Sequence, residues 1–312
     1  MIIIDGHCDS LLKVNQESSL YDLGGNSHLD IKRALNRVNL QIFAAYIDSS
    51  FKPYQSLHRG LALIEVFQQE IEKYSSLVKP VLTKKDLLTI QNKDILHVLL
   101  AVEGGEILCG DILLLNTIFR LGVRCIGLTW NQRNEIADGC SESATQGGLT
   151  EFGIKVVKEM NKLGMVIDLA HISPAGFWSV LEHTQSPVMV SHANCHQLCP
   201  HRRNLDDAQI KALSQNHGVL GITFVKDFLG EGEVGIEDVL KHIDYAVTIG
   251  GVDCVGIGSD FDGTDSLPKG LEDVTKLYLI AEGLDKRGYT GEDIEKIMGR
   301  NFLRLFTTIL PE

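Results

Sequence analysis

At 312 residues, 44% apolar and 22% charged, the chain can bury a sizeable core and has the composition of a folded water-soluble protein, which excludes general disorder. Its 29 basic residues against 41 acidic ones give a formal charge of -12, which argues against nucleic acid or an anionic membrane as partner and suits a protein that holds cations. The seven cysteines are odd in number, scattered and partly set in apolar runs, so reduced thiols in a cytoplasmic protein are expected rather than a disulfide framework.

In chain order, the first predicted strand is "IIIDG" (2–6), followed at once by His7 and Asp9. Strand residues two apart face the same side, so these two ligand-type groups point together. The apolar run starts directly after Met1, leaving no room for a signal peptide, and no run reaches the roughly 18 residues of a membrane span. Next come a strand at 40–48, a helix at 56–74, and a strand at 95–103 that ends in Glu103. A helix at 111–122 leads to a strand at 123–130, which ends in Trp130 and Asn131. The irregular stretch 131–148 then follows, placed to cover a site. A helix at 150–164 precedes the strand 165–171 with His171 at its end, and a helix at 175–184 precedes the strand 187–193 with His192. "CHQLC" (195–199) has no second cysteine pair and does not make a zinc knuckle. "HRRNLDD" (201–207) supplies Arg202 and Arg203 in a loop. Strands at 218–225 and 254–261, the latter ending in Asp260 and Asp262, bracket a helix at 236–250, and a helix at 291–306 closes the chain.

Eight buried strands alternating with helices argue for a closed (β/α)8 barrel of the triosephosphate isomerase type, a single domain over residues 1–312. A doubly wound open sheet is the structural alternative. Such a barrel places its chemistry at the C-terminal ends of the strands. There stand His7, Asp9, Glu103, His171, His192 and Asp260. Imidazole and carboxylate are the ligands of divalent zinc, and one carboxylate can bridge two ions. Taken singly, each has a plainer reading: His171 and His192 as hydrogen-bonded core histidines, Glu103 as a cap, and Asp260 as the start of a turn with Asp262 and Gly263. Five ligand-type residues at the ends of four strands, with an acid at a fifth, weigh against all of those holding at once. His58, His97, His183 and His242 lack such context and read as structural or surface residues. Arg202 and Arg203 fit either a grip on a substrate carboxylate or a surface ion pair with Asp206 or Asp207.

The motifs "DGHCD", "AVEGGEIL", "GLTEFG", "DLAH", "VSHANC" followed by "RRN", "GVDCVGIGSDFDG" and "GRNFLRLF" resemble, in this order, those of the membrane (renal) dipeptidase family of zinc peptidases. The resemblance spans nearly the whole chain. It implies the same barrel fold, two Zn2+ per chain, a dipeptide substrate and a homodimer. It also implies that His7 and Asp9 hold one zinc, His171 and His192 the other, and Glu103 both. Asp260 would act as the acid/base residue, and Arg203 would grip the substrate carboxylate. A zinc-activated bridging hydroxide would then cleave the peptide bond. The animal enzymes carry a histidine after "LT" that helps bind the reacting carbonyl; here the chain reads "LTWNQRN", so Asn131 is the candidate for that polar contact. The family's membrane anchor and secretory signal have no counterpart, as in a soluble bacterial-type member. The rival readings are a deaminase or cyclic-amide hydrolase of the wider amidohydrolase group, a two-metal phosphoesterase, and a degenerate binding protein. His-x-Asp on the first strand and a glutamate bridge set this chain apart from the usual His-x-His and carboxylated lysine of the first of these.

Overall fold

A computed structural model describes residues 1–312, the Asn26 side chain excepted. Its strands are β1 (Ile4–Cys8), β2 (Leu40–Tyr46), β3 (Val78–Pro80), β4 (Leu96–Glu103), β5 (Val123–Gly127), β6 (Val166–Asp168), β7 (Met189–Ala193), β8 (Val219–Ile222) and β9 (Val255–Ile257). All ladders are parallel. β1 pairs with both β2 and β9, and β2 pairs directly with β4, so eight strands close into a (β/α)8 barrel. Every residue of β4 is buried, as a strand covered on both faces must be.

β3 is the strand that sequence reasoning missed. It pairs only with Leu96–Val98 of β4, on the flank that β5 takes over from Leu100 onward. With Lys79 and Pro80 in three residues it is no apolar run, and a proline suits this edge position.

The expected helices form at Ser56–Lys73, Ile112–Arg120, Glu151–Leu163, Pro174–His183 and Ile236–Gly250. Two further helices, Asp207–Gln215 and Tyr278–Lys286, and the single turns Ile31–Ala34 and Lys226–Leu229 were not expected. The last expected helix runs as Gly291–Glu295, a π turn over Lys296–Arg300, and Asn301–Ile309. Its final segment buries Phe302, Leu305, Phe306 and Ile309 against Ile4, Leu40, Leu99, Val166 and Val219, inside the N-terminal mouth of the barrel. A second apolar cluster fills the space between barrel and helices. With the bottom plugged by Phe302 and Phe306, the open end is the one where the strands finish. No helix among the described residues is long and apolar enough to cross a membrane.

Candidate metal centre

Each strand end delivers its group to that mouth differently. His7 lies within β1, and Asp9 has already left the strand at φ -107°, ψ 21°, yet its Oδ2 lies 3.4 Å from His7 Nε2. Glu103 is the last residue of β4, and His192 lies within β7. β6 and β9 end earlier than the sequence suggested, at Asp168 and Ile257, so His171 and Asp260 sit on the turns beyond. Both adopt left-handed backbone, with φ of 68° and 60°. Such a conformation costs a non-glycine residue about 1–2 kcal/mol and turns the side chain back over the barrel mouth. A hydrogen bond from the Asp260 amide to the His7 carbonyl (3.2 Å) helps to hold that residue there.

Glu103 stands at the centre. Its Oε2 lies 3.4 Å from His7 Nε2, and its Oε1 lies 2.8 Å from His171 Nε2 and 3.7 Å from His192 Nε2. Three overlapping sets, His7/Asp9/Glu103, Glu103/His171/His192 and His7/His192/Asp260, each bring their ligand atoms within 4.8 Å of one another.

The tautomers follow from the hydrogen bonds. The Ser191 hydroxyl donates to Asp168 Oδ2 (2.6 Å), so its oxygen accepts from His192 Nδ1 (2.8 Å). Asp168 also accepts from the Ser191 and Ala170 amides. Asn131 Oδ1 accepts from His171 Nδ1 at 2.8 Å. Each ring nitrogen that faces the site is therefore a bare lone pair, and these two Nε2 atoms stand 2.9 Å apart. Lone pairs so placed repel unless a cation lies between or beside them. His7 Nε2 and Asp9 Oδ1 are likewise buried without a hydrogen-bond partner. The donor set fits divalent cations of the zinc type, with glutamate able to serve two of them.

Electrostatics points the same way. Burial, with Arg203 adding to it, pushes the His171 imidazole down to about 3, and burial with His7 pushes His192 well down, so both stay neutral. Burial alone would lower His7 too, but Glu103 and Asp9 outweigh it and hold that ring well above its ordinary value. Burial would raise Glu103, but His7 and His171 outweigh it and hold the carboxyl well below the usual range. Asp260 is pushed up to about 7, chiefly by burial, with Asp9 and Glu103 adding to the shift against the pull of His7 and Arg203.

The Asp260 turn is pinned from outside. Asp262 donates its amide to His28 Nδ1 (3.0 Å), accepts the His28 amide (2.7 Å), and takes the Ser10 hydroxyl on Oδ2 (2.5 Å). Asp5, buried in the barrel, accepts both the amide and the hydroxyl of Ser259.

Arg203, 5% exposed, donates from Nη2 to the His192 carbonyl (3.0 Å) and lies 5.5 Å above the Phe228 ring, while its Nε has no partner. The ion pair with Asp206 or Asp207 is not formed: Asp206 caps the Asp207–Gln215 helix and Asp207 accepts from Tyr245. A cavity of about 380 Å³ joins Arg203 to Asp9, Glu103, His171, His192 and Asp260, with Leu12, Tyr46, Trp130, Val225 and Phe228 among its walls. Trp130 meets Tyr46 edge-on at 5.4 Å. Asn131 reaches the cavity, but its oxygen is turned to His171.

All eight residues singled out from the sequence thus converge on one mouth. Their supports Asp5, Asp168, Ser191 and Ser259 were not singled out, although a polar residue inside an apolar strand needs a buried partner and is a readable signal. Tyr46 and His28 carried no signal of their own. His97 and His242 are core histidines as expected, bonded to Thr89 Oγ1 and to the Cys195 amide.

Known proteins share this arrangement of the chain. An uncharacterized dipeptidase of Schizosaccharomyces pombe is 34% identical over 331 residues, covering 97% of this chain and 79% of that protein. The crystal structure of a metallo peptidase from Rhodobacter sphaeroides, bound to a phosphinate mimic of the dipeptide L-Ala-D-Ala, superposes with a TM-score of 0.92 at 26% identity and 99% coverage of both chains. A metallo peptidase termed dipeptidase AC also gives a TM-score of 0.92 at 26% identity, covering 100% of this chain and 99% of that one. The sequence profile of the membrane dipeptidase family, peptidase family M19, matches residues 1–310, and the chain belongs to that family.

Proposed function

We propose that this chain is a zinc-dependent dipeptidase that hydrolyses dipeptides bearing a free C-terminal carboxylate. The observation that carries this reading is the pair of facing His171 and His192 lone pairs beside Glu103, in one cavity with an unpartnered Arg203 Nε. His7 and Asp9 would hold one ion and His171 and His192 the other, with one oxygen of Glu103 turned to each. Bound there, two zinc ions would acidify a shared water and polarise the scissile carbonyl.

The protein's own groups do the rest. Asp260, 3.8 Å across from His7, takes the proton of the attacking water and returns it to the leaving amine, the task of a carboxyl within reach of both. Arg203 offers its free guanidinium edge to the terminal carboxylate, a planar match that fixes the distance from that carboxylate to the bond. Trp130 and Tyr46 form an apolar wall that keeps bulk water from the reacting carbonyl. The dipeptide mimic bound to the Rhodobacter sphaeroides relative supports a substrate of this size.

The test is a panel of dipeptides in both stereochemistries, with their C-terminal amides, assayed with and without a chelator. Hydrolysis should stop on chelation, return with zinc, and fall for the amides. Chelator-insensitive hydrolysis, or a purified chain that holds no divalent metal, overturns the reading.

A further inference from the structure

We infer that Asn131, held by Cys140, is a positioning residue for the metal site through His171 and not a substrate contact. The inference rests on the proposed metal-dependent reading and adds to it which part of the chain controls the His171 side.

The two metal-facing imidazoles are supported from different places. His192 is backed by Ser191 and Asp168, both on barrel strands. His171 is backed by a neutral amide on the loop that follows β5. Asn131 Oδ1 receives His171 Nδ1–H at 2.8 Å and the Cys140 thiol at 3.0 Å. As the structure places the amide, its oxygen faces both groups and has a lone pair for each.

The backbone is clamped around this contact. The Cys140 amide donates to the His171 carbonyl at 2.7 Å, and the Ser141 amide donates to the Asn131 carbonyl at 2.9 Å. Gly139 forms an isolated bridge with Ile172, and any Cβ on it would collide with the Trp130 and Asn131 backbone. The cysteine, the asparagine and the tryptophan of the cavity wall are thus one unit, and the orientation of His171 depends on it. An imidazole that loses the partner of its other nitrogen can turn and change tautomer, and such losses cost about 10- to 100-fold in metal affinity.

Stepwise chelator competition on the zinc-loaded chain tests this, with metal content, KM and kcat read on the same samples and circular dichroism as the check on folding. Asn131→Ala should weaken one of two bound equivalents by about 10- to 100-fold and leave the other near its wild-type affinity. Asn131→Asp, which keeps an acceptor, should restore most of the loss. Cys140→Ser should stay close to wild type, and Cys140→Ala should fall between. Should Asn131→Ala bind both equivalents as tightly as wild type and change only KM, the residue is a substrate contact and the inference is wrong. Should Asn131→Asp fail to rescue a folded protein, the role is not acceptance from His171, and the inference fails again. Wild-type protein that binds no divalent ion would sink the metal reading itself, an outcome distinct from either.

Discussion

The Nε2 atoms of His171 and His192 face each other at 2.9 Å, and in each ring the other nitrogen is already committed as a donor. Neutral rings in this geometry oppose lone pair to lone pair in a buried, acid-lined space. Removing the metal should therefore cost more than lost binding contacts, because it leaves these two lone pairs and the unpartnered Asp9 Oδ1 uncompensated. Thermal melts of chelated and zinc-replete protein should differ, with the replete form higher. A ligand at 100 times its Kd alone supplies about 2.7 kcal/mol. Equal melting temperatures in the two states would contradict the assignment.

Asp260 has a separable role. Asp260→Asn should retain both metal equivalents while turnover drops about 10²-fold or more. The metal-free protein gives a second readout. There the folded Asp260 carboxyl is raised to about 7, against about 3.9 in an unfolded chain, so the acid form is the one the fold favours. Its stabilising contribution is complete below about pH 3.9 and is lost as the pH rises through about 7. Between pH 5 and pH 8 the metal-free wild type should therefore lose more melting temperature than metal-free Asp260→Asn, which cannot ionise. Asp5 and Asp168, also raised by burial, are common to both proteins and cancel in the comparison. Bound cations reverse the local preference for the acid, so the difference should shrink in loaded protein.

For Arg203 the expected signature is in KM. A hydrogen bond to a charged group contributes about 1.5–3 kcal/mol, so Arg203→Ala should raise KM about 10- to 100-fold for a free-carboxylate dipeptide. The loss should be much smaller for the C-terminal amide. Arg203→Lys should not recover it, since a lysine cannot present the two-pronged edge and would also abandon the His192 carbonyl. Equal losses on acid and amide substrates would remove the arginine from carboxylate recognition.

The sequence was most readable where one physical rule acted alone. Continuous apolar runs showed the eight barrel strands because strands buried on both faces have no polar side to hide, and His7, Glu103 and His192 could be placed from the strand ends. β3 was unreadable because it is three residues long and its place is decided by which part of β4 lies free. The ends of β6 and β9 were read too long because left-handed turns at His171 and Asp260 leave no compositional trace without glycine. Asn131 was placed at the site as a contact for the reacting carbonyl, while the partners its oxygen has in the structure were not readable: a thiol 9 residues on and an imidazole 40 residues on cannot be assigned by spacing.

Gly263 offers the sharpest test of how tightly the mouth is built. It follows Asp262, whose bonds to His28 and Ser10 fix the turn, and its amide donates to the Asp260 carbonyl at 3.1 Å. A Cβ at this position would collide with Asp260 Oδ1 and Asp9 Oδ2 at once. The backbones of both residues are held, Asp260 by its amide on the His7 carbonyl and Asp9 by its amide on the Phe261 carbonyl at 2.8 Å, so relief has to come from the two carboxylates themselves. Gly263→Ala should therefore move the acid and one metal ligand together, without adding a charge or removing a hydrogen bond. The barrel itself should survive, because Gly263 itself lies outside the ladders and the core. The expected result is a folded protein with a melting temperature within a few degrees of wild type in the metal-free state, weakened binding of the His7-side equivalent, and activity down by at least the loss expected for Asp260→Asn. A Gly263→Ala protein with unchanged metal affinity and turnover would show that Asp9 and Asp260 have room the structure denies them.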